Sequence, residues 1–385
     1  MSVQRYVKGG RVRYRARVKH HGREVATQVF DRKNDALVWE QEQRRRLLLG
    51  EWIDPRRGRV PLRLVAETWF ASRHSVKRKT READHAAWTG HIEYRFGDVP
   101  VAAITPAEIA QWVGGLVSGG AAPSTASRYL ATLRSILAHA VADGRVSQNA
   151  AGSVRAPTAG HVRREGQFLT RDELEALVAA CRGTYADVVR VLGLAGLRWG
   201  ELAGLQVGDR IAVPGQGLRI QRAVLASSQR GELFVDTLKG KRSRTVPLVS
   251  ELVPLVEEWA VGKTGADWLF AAPRGGPLSG ANWKRSVGWA AACRAIGRPT
   301  FRVHDLRHTC ASLWLGAGAD PKVVQRVLGH ASAAMTMDLY GHLFDHNLWA
   351  AADRVGGTTG APQPFDTGNA EAPGEVQGLW PGASS

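Results

Sequence analysis

Cysteine is scarce in this chain, with only Cys181, Cys293 and Cys310 among 385 residues. They are odd in number and far apart. That excludes a disulfide framework or a cysteine-based metal cluster and fits a reducing, cytoplasmic compartment. Long apolar runs are lacking too. No stretch of about 18 apolar residues occurs, and the opening MSVQRYVKGGRVRYR has no apolar leader core. The expected chain is neither exported nor membrane-spanning. There is no His-Glu-x-x-His pair, no paired-carboxylate metal site, no Walker loop and no glycine-rich nucleotide fingerprint. No metal and no cofactor are therefore expected. Acid is short relative to base: 35 Asp and Glu stand against 52 Lys and Arg, a net charge of +17. Such a charge calls for an anionic partner.

The positive charge is densest at the front. Residues 1–60 hold 16 Lys and Arg against 7 Asp and Glu, whereas residues 356–385 hold three acids and no base. Arg11, Arg13, Arg15 and Arg17 alternate with Val12, Tyr14, Ala16 and Val18. Period two is the strand signal, with one apolar and one arginine face. A turn at His21-Gly22, a second strand over Glu24 to Phe30 and a helix over about Asn34 to Leu49, capped by Asp31, complete a small module. Its expected core contacts are Ala36, Leu37, Trp39, Leu47 and Leu48. An arginine face without interleaved acid suits DNA phosphates or a groove.

Residues 50–59 punctuate the chain with Gly and Pro. Helical spacing then predicts helices near 62–74, 81–95, 106–118 and 124–142. Thr105-Pro106-Ala-Glu108 is a capping box with proline at the first helical position. The last helix carries Tyr129, Leu130, Leu133, Ile136, Leu137 and Val141 on one face and ends at Asp143-Gly144. Lys77, Arg78, Lys79 and Arg128 are basic candidates for DNA contact around this block. Residues 147–166 read as a linker, and Thr170-Arg-Asp-Glu173 caps the start of the next domain.

Three motifs in that domain stand in a telling order: Gly196-Leu-Arg198-Trp-Gly-Glu201, then Lys239 ahead of Val246-Pro247-Leu248, then His304-Asp-Leu-Arg307 with Leu328-Gly-His330 and Tyr340-Gly-His342. Together they resemble the signature boxes of the tyrosine recombinases, the phage-integrase family. The resemblance implies a multidomain protein, mainly α with small β-sheets. Its parts would be an arm-type DNA-binding domain (1–55, a three-stranded sheet plus helix), a helical core-binding domain (60–146), a linker (147–166), an α+β catalytic domain (167–355) and a disordered tail (356–385). The implied activity is site-specific cleavage and rejoining of DNA through a 3′-phosphotyrosyl intermediate, integrating or excising a phage or mobile element. The implied partners are double-stranded DNA carrying attachment-type sites, three further protomers in a tetramer on synapsed DNA, a directionality factor and a host DNA-bending protein. The competing reading is a non-catalytic DNA-binding regulator or architectural protein with a relict site.

Each position carries a role in that chemistry. By the resemblance Tyr340 would be the nucleophile; a phenol with pKa near 10 needs neighbouring positive charge to ionise. It lies ten residues beyond His330, one more than is commonest in the family. Arg198 and Arg307 would clamp the phosphate, since a guanidinium is a planar donor fork that keeps its charge. His304 would exchange a proton with Tyr340 or the phosphate, and His330 would hold a non-bridging oxygen. Lys239, in an apparent hairpin between strands 232–238 and 244–248, would be the general acid for the leaving 5′ oxygen, with Lys241 its rival. Glu201 reads either as a partner that steadies Arg198 or as an ordinary i,i+3 surface pair. His308 and His342 read as supporting residues. Lys241, Arg242 and Arg244 read as a basic loop gripping phosphates. A helix over Leu343 to Ala352 would dock on a neighbouring protomer or on its own domain.

Overall fold

The protein is described by a computed structural model covering residues 3–20, 22–49, 52–54, 56–157, 167–227, 231–238 and 243–330. Lys239, Lys241, Arg242, Tyr340, His342, the helix expected at 343–352 and the expected tail lie outside the described residues.

The front module is a three-stranded antiparallel sheet, β1 (Val3–Lys8), β2 (Arg11–His20) and β3 (Arg23–Phe30), backed by α1 (Lys33–Leu48). The alternation in β2 does what its period demands. Ala16 and Val18 are fully buried, while Arg11, Arg13, Arg15 and Arg17 share the opposite face. Register places Lys8 opposite Arg11 and Gln4 opposite Arg15. Asp31 does not cap α1. Its carboxylate stands 3.5 Å from Arg13, and Arg32 occupies the cap without a side-chain bond. The expected helix core holds only in part: Ala36 is buried and Trp39 packs 5.8 Å from Phe30, but Leu37 and Leu48 face solvent.

The central domain is all helix: α2 (Leu62–Ser72), α3 (Arg78–Ala87), α4 (Glu93–Phe96), α5 (Pro106–Ser118) and α6 (Pro123–Ala142). A single π-helical turn, Trp88–Ile92, joins α3 to α4 and buries Trp88 and Ile92. The Thr105–Glu108 capping box forms. The apolar face of α6 is the core, with Leu130, Leu133, Ile136 and Leu137 buried against α2 and α5. The expected linker begins later than 147. Arg134 donates to the carbonyls of Ala151 (3.1 Å) and Val154 (2.7 Å), and Asn149 returns a bond to Arg134 O. Ala151 and Val154 thereby join the central core.

The third domain opens on the Thr170–Glu173 capping box of α7 (Arg171–Ala180) and continues through α8 (Asp187–Ala195) and α9 (Trp199–Ala203). Five strands follow: β4 (Arg210–Ile211), β5 (Gly217–Ile220), β6 (Arg222–Ala226), β7 (Leu233–Thr237) and β8 (Arg244–Pro247). Then come α10 (Leu252–Ala260), α11 (Gly280–Ser286), α12 (Trp289–Ala295), α13 (Asp305–Gly316) and α14 (Pro321–Leu328). Every side chain of α8 from Val191 to Ala195 is buried, and α8 packs on α7 and α13. The strand pairing corrects one expectation. β7 and β8 do not form a hairpin with each other. β7 pairs with β6, and β8 pairs with β5. The near-continuous stretch β5–β6 supplies both partners, so β7 and β8 belong to separate sheets. Among the described residues, no helix is long and apolar enough to cross a membrane.

Candidate active site

Arg198 and Arg307 meet because two tight turns bring their segments together. α8 ends at Gly196, whose φ of +64° is left-handed, a conformation that costs an L-residue about 1–2 kcal/mol. A Cβ there would stand 2.6 Å from Leu328 and 2.8 Å from Cys310, so only glycine fits. Arg198 then starts α9, with its side chain 37% exposed. Arg307, on the first turn of α13, is 3% exposed. Its Nη1 donates 2.7 Å to Gly196 O, and its Nη2 donates to Leu328 O. Arg307 thus ties the first box to the turn that carries His330. Burial and the neighbouring Arg198 pull its pKa down to about 9, which leaves it cationic at neutral pH.

Glu201 is not a surface pair. It is 4% exposed, and its carboxylate accepts four bonds. Two come from the Arg198 backbone N and Nη1, each at 2.9 Å. The other two come from Arg244, Nη1 at 3.0 Å and Nη2 at 2.7 Å. Burial opposes its ionisation, but the Arg244 bonds and charge outweigh it, and the carboxyl is held down at about 2.

The three histidines gather around this cluster. His304 precedes α13 and His308 lies one turn on, their rings 5.5 Å apart and edge to face. His330 follows Gly329, another left-handed residue at φ +67°. Burial is the first cause that lowers all three. His304 is lowered next by Arg307; His308, next by His304, and His330, next by Arg307, both fall to about 4. All are neutral imidazoles at neutral pH, each able to donate at one nitrogen and accept at the other. Buried Asp305 fixes the start of α13 by accepting from the backbone and guanidinium of Arg302.

The structure therefore joins Arg198, Glu201, His304, Arg307, His308 and His330 in one cluster. It also adds Arg244, which the sequence reading had turned outward to DNA. Strand alternation could have shown this: Arg244 shares a face of β8 with Val246, which is fully buried. Lys77, Arg78 and Lys79 stand elsewhere, at the seam between the central and third domains. Lys77 Nζ donates to the carbonyls of Thr237 (2.6 Å) and Leu238 (3.4 Å) and lies 3.4 Å from Asp236. Arg78 reaches Glu232 at 2.6 Å and covers the Phe234 ring. Lys79 reaches Ala226 O at 2.8 Å. Arg128 stacks over its neighbour Tyr129.

Comparison with known proteins decides the family. Residues 167–347 match the phage integrase family, and residues 62–157 match the phage integrase central domain. The tyrosine recombinase XerC of Mycobacterium tuberculosis is 30% identical over 272 residues, covering 66% of this chain and 84% of that one. The chain belongs to the phage integrase family. It is a tyrosine-type site-specific recombinase acting on DNA. The integrase of Mycobacterium phage L5 is 27% identical over 329 residues, covering 82% of this chain and 86% of the relative. Among solved structures, the Tn1549 transposon integrase in complex with transposon right end DNA superposes with TM-score 0.64 at 18% identity, covering 77% of this chain and all of that one. The lambda integrase tetramer bound to a Holliday junction superposes at 0.53 with 20% identity, covering 87% and 94%. At these identities the superpositions speak for the shared fold.

Proposed function

We propose that this integrase cuts and exchanges DNA strands with Tyr340 as nucleophile and Arg198, Arg307, His304, His330 and Lys239 as its supporting groups. One observation carries the reading. Three guanidiniums, Arg198, Arg244 and Arg307, gather with the buried carboxylate of Glu201, while the nearby buried carboxylate of Asp305 is taken up by Arg302. That surplus positive charge is built into a partly dry cluster, where a phosphodiester anion repays its burial.

Tyr340 Oη attacks the phosphorus and loses its proton to His304 or solvent. The guanidiniums of Arg198 and Arg307, with His330, hold the non-bridging oxygens as charge builds on them. The P–O5′ bond breaks and Lys239 protonates the leaving oxygen. A 3′-phosphotyrosyl ester remains; a 5′ hydroxyl from the partner duplex gives up its proton and attacks the phosphorus, and the bond to Tyr340 Oη breaks, returning a phenol once it is reprotonated. The ester keeps the bond energy, so resealing needs no nucleotide cofactor.

The arginine face of β2 suits a second, arm-type DNA contact. A tetramer on two synapsed duplexes, attachment-type sites, a directionality factor and a host bending protein complete the proposal. The tetramer part draws support from the lambda integrase tetramer bound to a Holliday junction.

The test is covalent capture. The protein is mixed with fragments of the DNA surrounding its own gene, denatured in detergent, and the attached DNA is sequenced, with Tyr340→Phe alongside. Attachment that the substitution abolishes establishes the nucleophile and maps the crossover site. Tight binding with no attachment by either protein hands the case to the non-catalytic regulator.

A further inference from the structure

Arg244 opens β8, and its side chain is 13% exposed. All three of its nitrogens are committed inward. Nε donates 2.8 Å to Val327 O, and the two Nη atoms grip both oxygens of Glu201. Gly329 packs directly on it, and a Cβ at that glycine would stand 2.9 Å from Arg244 Cδ. One side chain thus touches the carboxylate under Arg198, the end of α14 and the turn before His330.

We infer that Arg244 is a positioning residue for strand cleavage, acting through Glu201 and the Val327–Gly329 turn rather than on DNA; this rests on the strand-transfer reading above. A buried carboxylate with a single guanidinium partner would engage that partner with both oxygens, as bidentate pairs do. Arg244 already fills the carboxylate's face. Glu201 therefore holds the Arg198 side chain only through Nη1, and the rest of that fork faces outward for a phosphate. The same guanidinium pins Val327 O, one residue before the Leu328 carbonyl that seats Arg307. Loss of Arg244 should shift Arg198 toward Glu201 and loosen His330.

The test separates positioning from phosphate contact. Full-length Arg244→Gln, Arg244→Lys, Glu201→Gln and the Arg244→Gln/Glu201→Gln double variant are compared with the parent. Binding to a duplex of random sequence is followed by anisotropy across a salt series. Single-turnover cleavage is followed on a nicked duplex carrying the captured crossover site.

Arg244→Gln should keep the parent's affinity and salt slope while cleaving about 100-fold more slowly, the scale of a small misplacement of catalytic groups. Arg244→Lys should fall between, since an ammonium cannot reproduce the three-point fork. The double variant should be scarcely slower than Glu201→Gln alone, because the two residues act as one unit. A salt slope reduced by about 1 would mark Arg244 as a phosphate contact and overturn the inference. Multiplying effects in the double variant, or full-rate cleavage by either single variant of Arg244, would overturn it too. If Arg244→Gln does not fold, Arg244→Lys decides by the same slope and rate. Failure of the parent itself to cleave sinks the recombination scheme, whereas a cleaving parent with an equally active Arg244→Gln sinks only this inference.

Discussion

His308 and His330 hold their pKa values near 4 because burial and adjacent cations oppose a further charge. In the unfolded chain they titrate near 6.5. Between roughly those two values the unfolded state binds more protons than the folded one, so stability rises with pH across that window. The free protein should therefore melt at lower temperature as pH falls from about 6.5 toward 4, and His308→Gln or His330→Gln should flatten the decline. A calorimetric profile that is equally steep in both variants would refute this. A bound phosphate reverses the local field and raises both imidazoles, so DNA binding at mildly acid pH should take up protons. Titration calorimetry in buffers of differing ionisation enthalpy reads that uptake directly, and none would contradict the placement of phosphate among these histidines. Gly196→Ala adds a methyl at a left-handed position against Leu328 and Cys310. It should destabilise by about 1–2 kcal/mol from backbone strain alone, with overpacking adding to it. Denaturant melts showing parental stability would mean the turn relaxes freely.

Among elements, the β6–β7 hairpin and the start of α3 carry the seam between domains. Lys77, Arg78 and Lys79 are basic and exposed enough to read as DNA contacts in sequence, yet in the folded chain they meet Thr237, Leu238, Glu232 and Ala226. Exposed pairs of this kind are worth about 0–1 kcal/mol each, so the seam should open easily. Lys77→Ala should leave the melting temperature nearly unchanged while speeding amide exchange in β6 and β7. Unchanged exchange there would show that Lys77 does not hold the hairpin. The misread hairpin has a related cause. Strands 233–237 and 244–247 each look ready to pair with the other across a short loop, but β6 takes β7 and β5 takes β8. β6 stands only 7–15 residues ahead of its partners in β7, and β5 stands 24–30 ahead of its partners in β8, so two short-range pairings compete for β7 and only the fold chooses between them.

For the molecule as a whole, charge predicts how the parts divide the work. The front sheet presents Arg11, Arg13, Arg15 and Arg17 on one face. Deleting residues 1–55 should lower the salt slope of binding to long DNA by about 0.9 for each phosphate those residues neutralise. Cleavage of a short crossover duplex should survive the deletion. Identical slopes with and without the segment would reject the two-site arrangement. Features set by nearest neighbours and short periods are legible in the chain alone: the β2 alternation, both capping boxes, the α6 core face and the order of the signature motifs. Its charge alone pointed to a polyanion. Which charges are spent on the protein is settled by contacts between distant segments. Arg244 and Glu201 lie 43 residues apart, and Arg307 finds its carbonyls 111 and 21 residues away. A guanidinium looks the same in sequence whether it meets phosphate or a buried carboxylate. Only the fold, by removing water from one side of it, makes the difference.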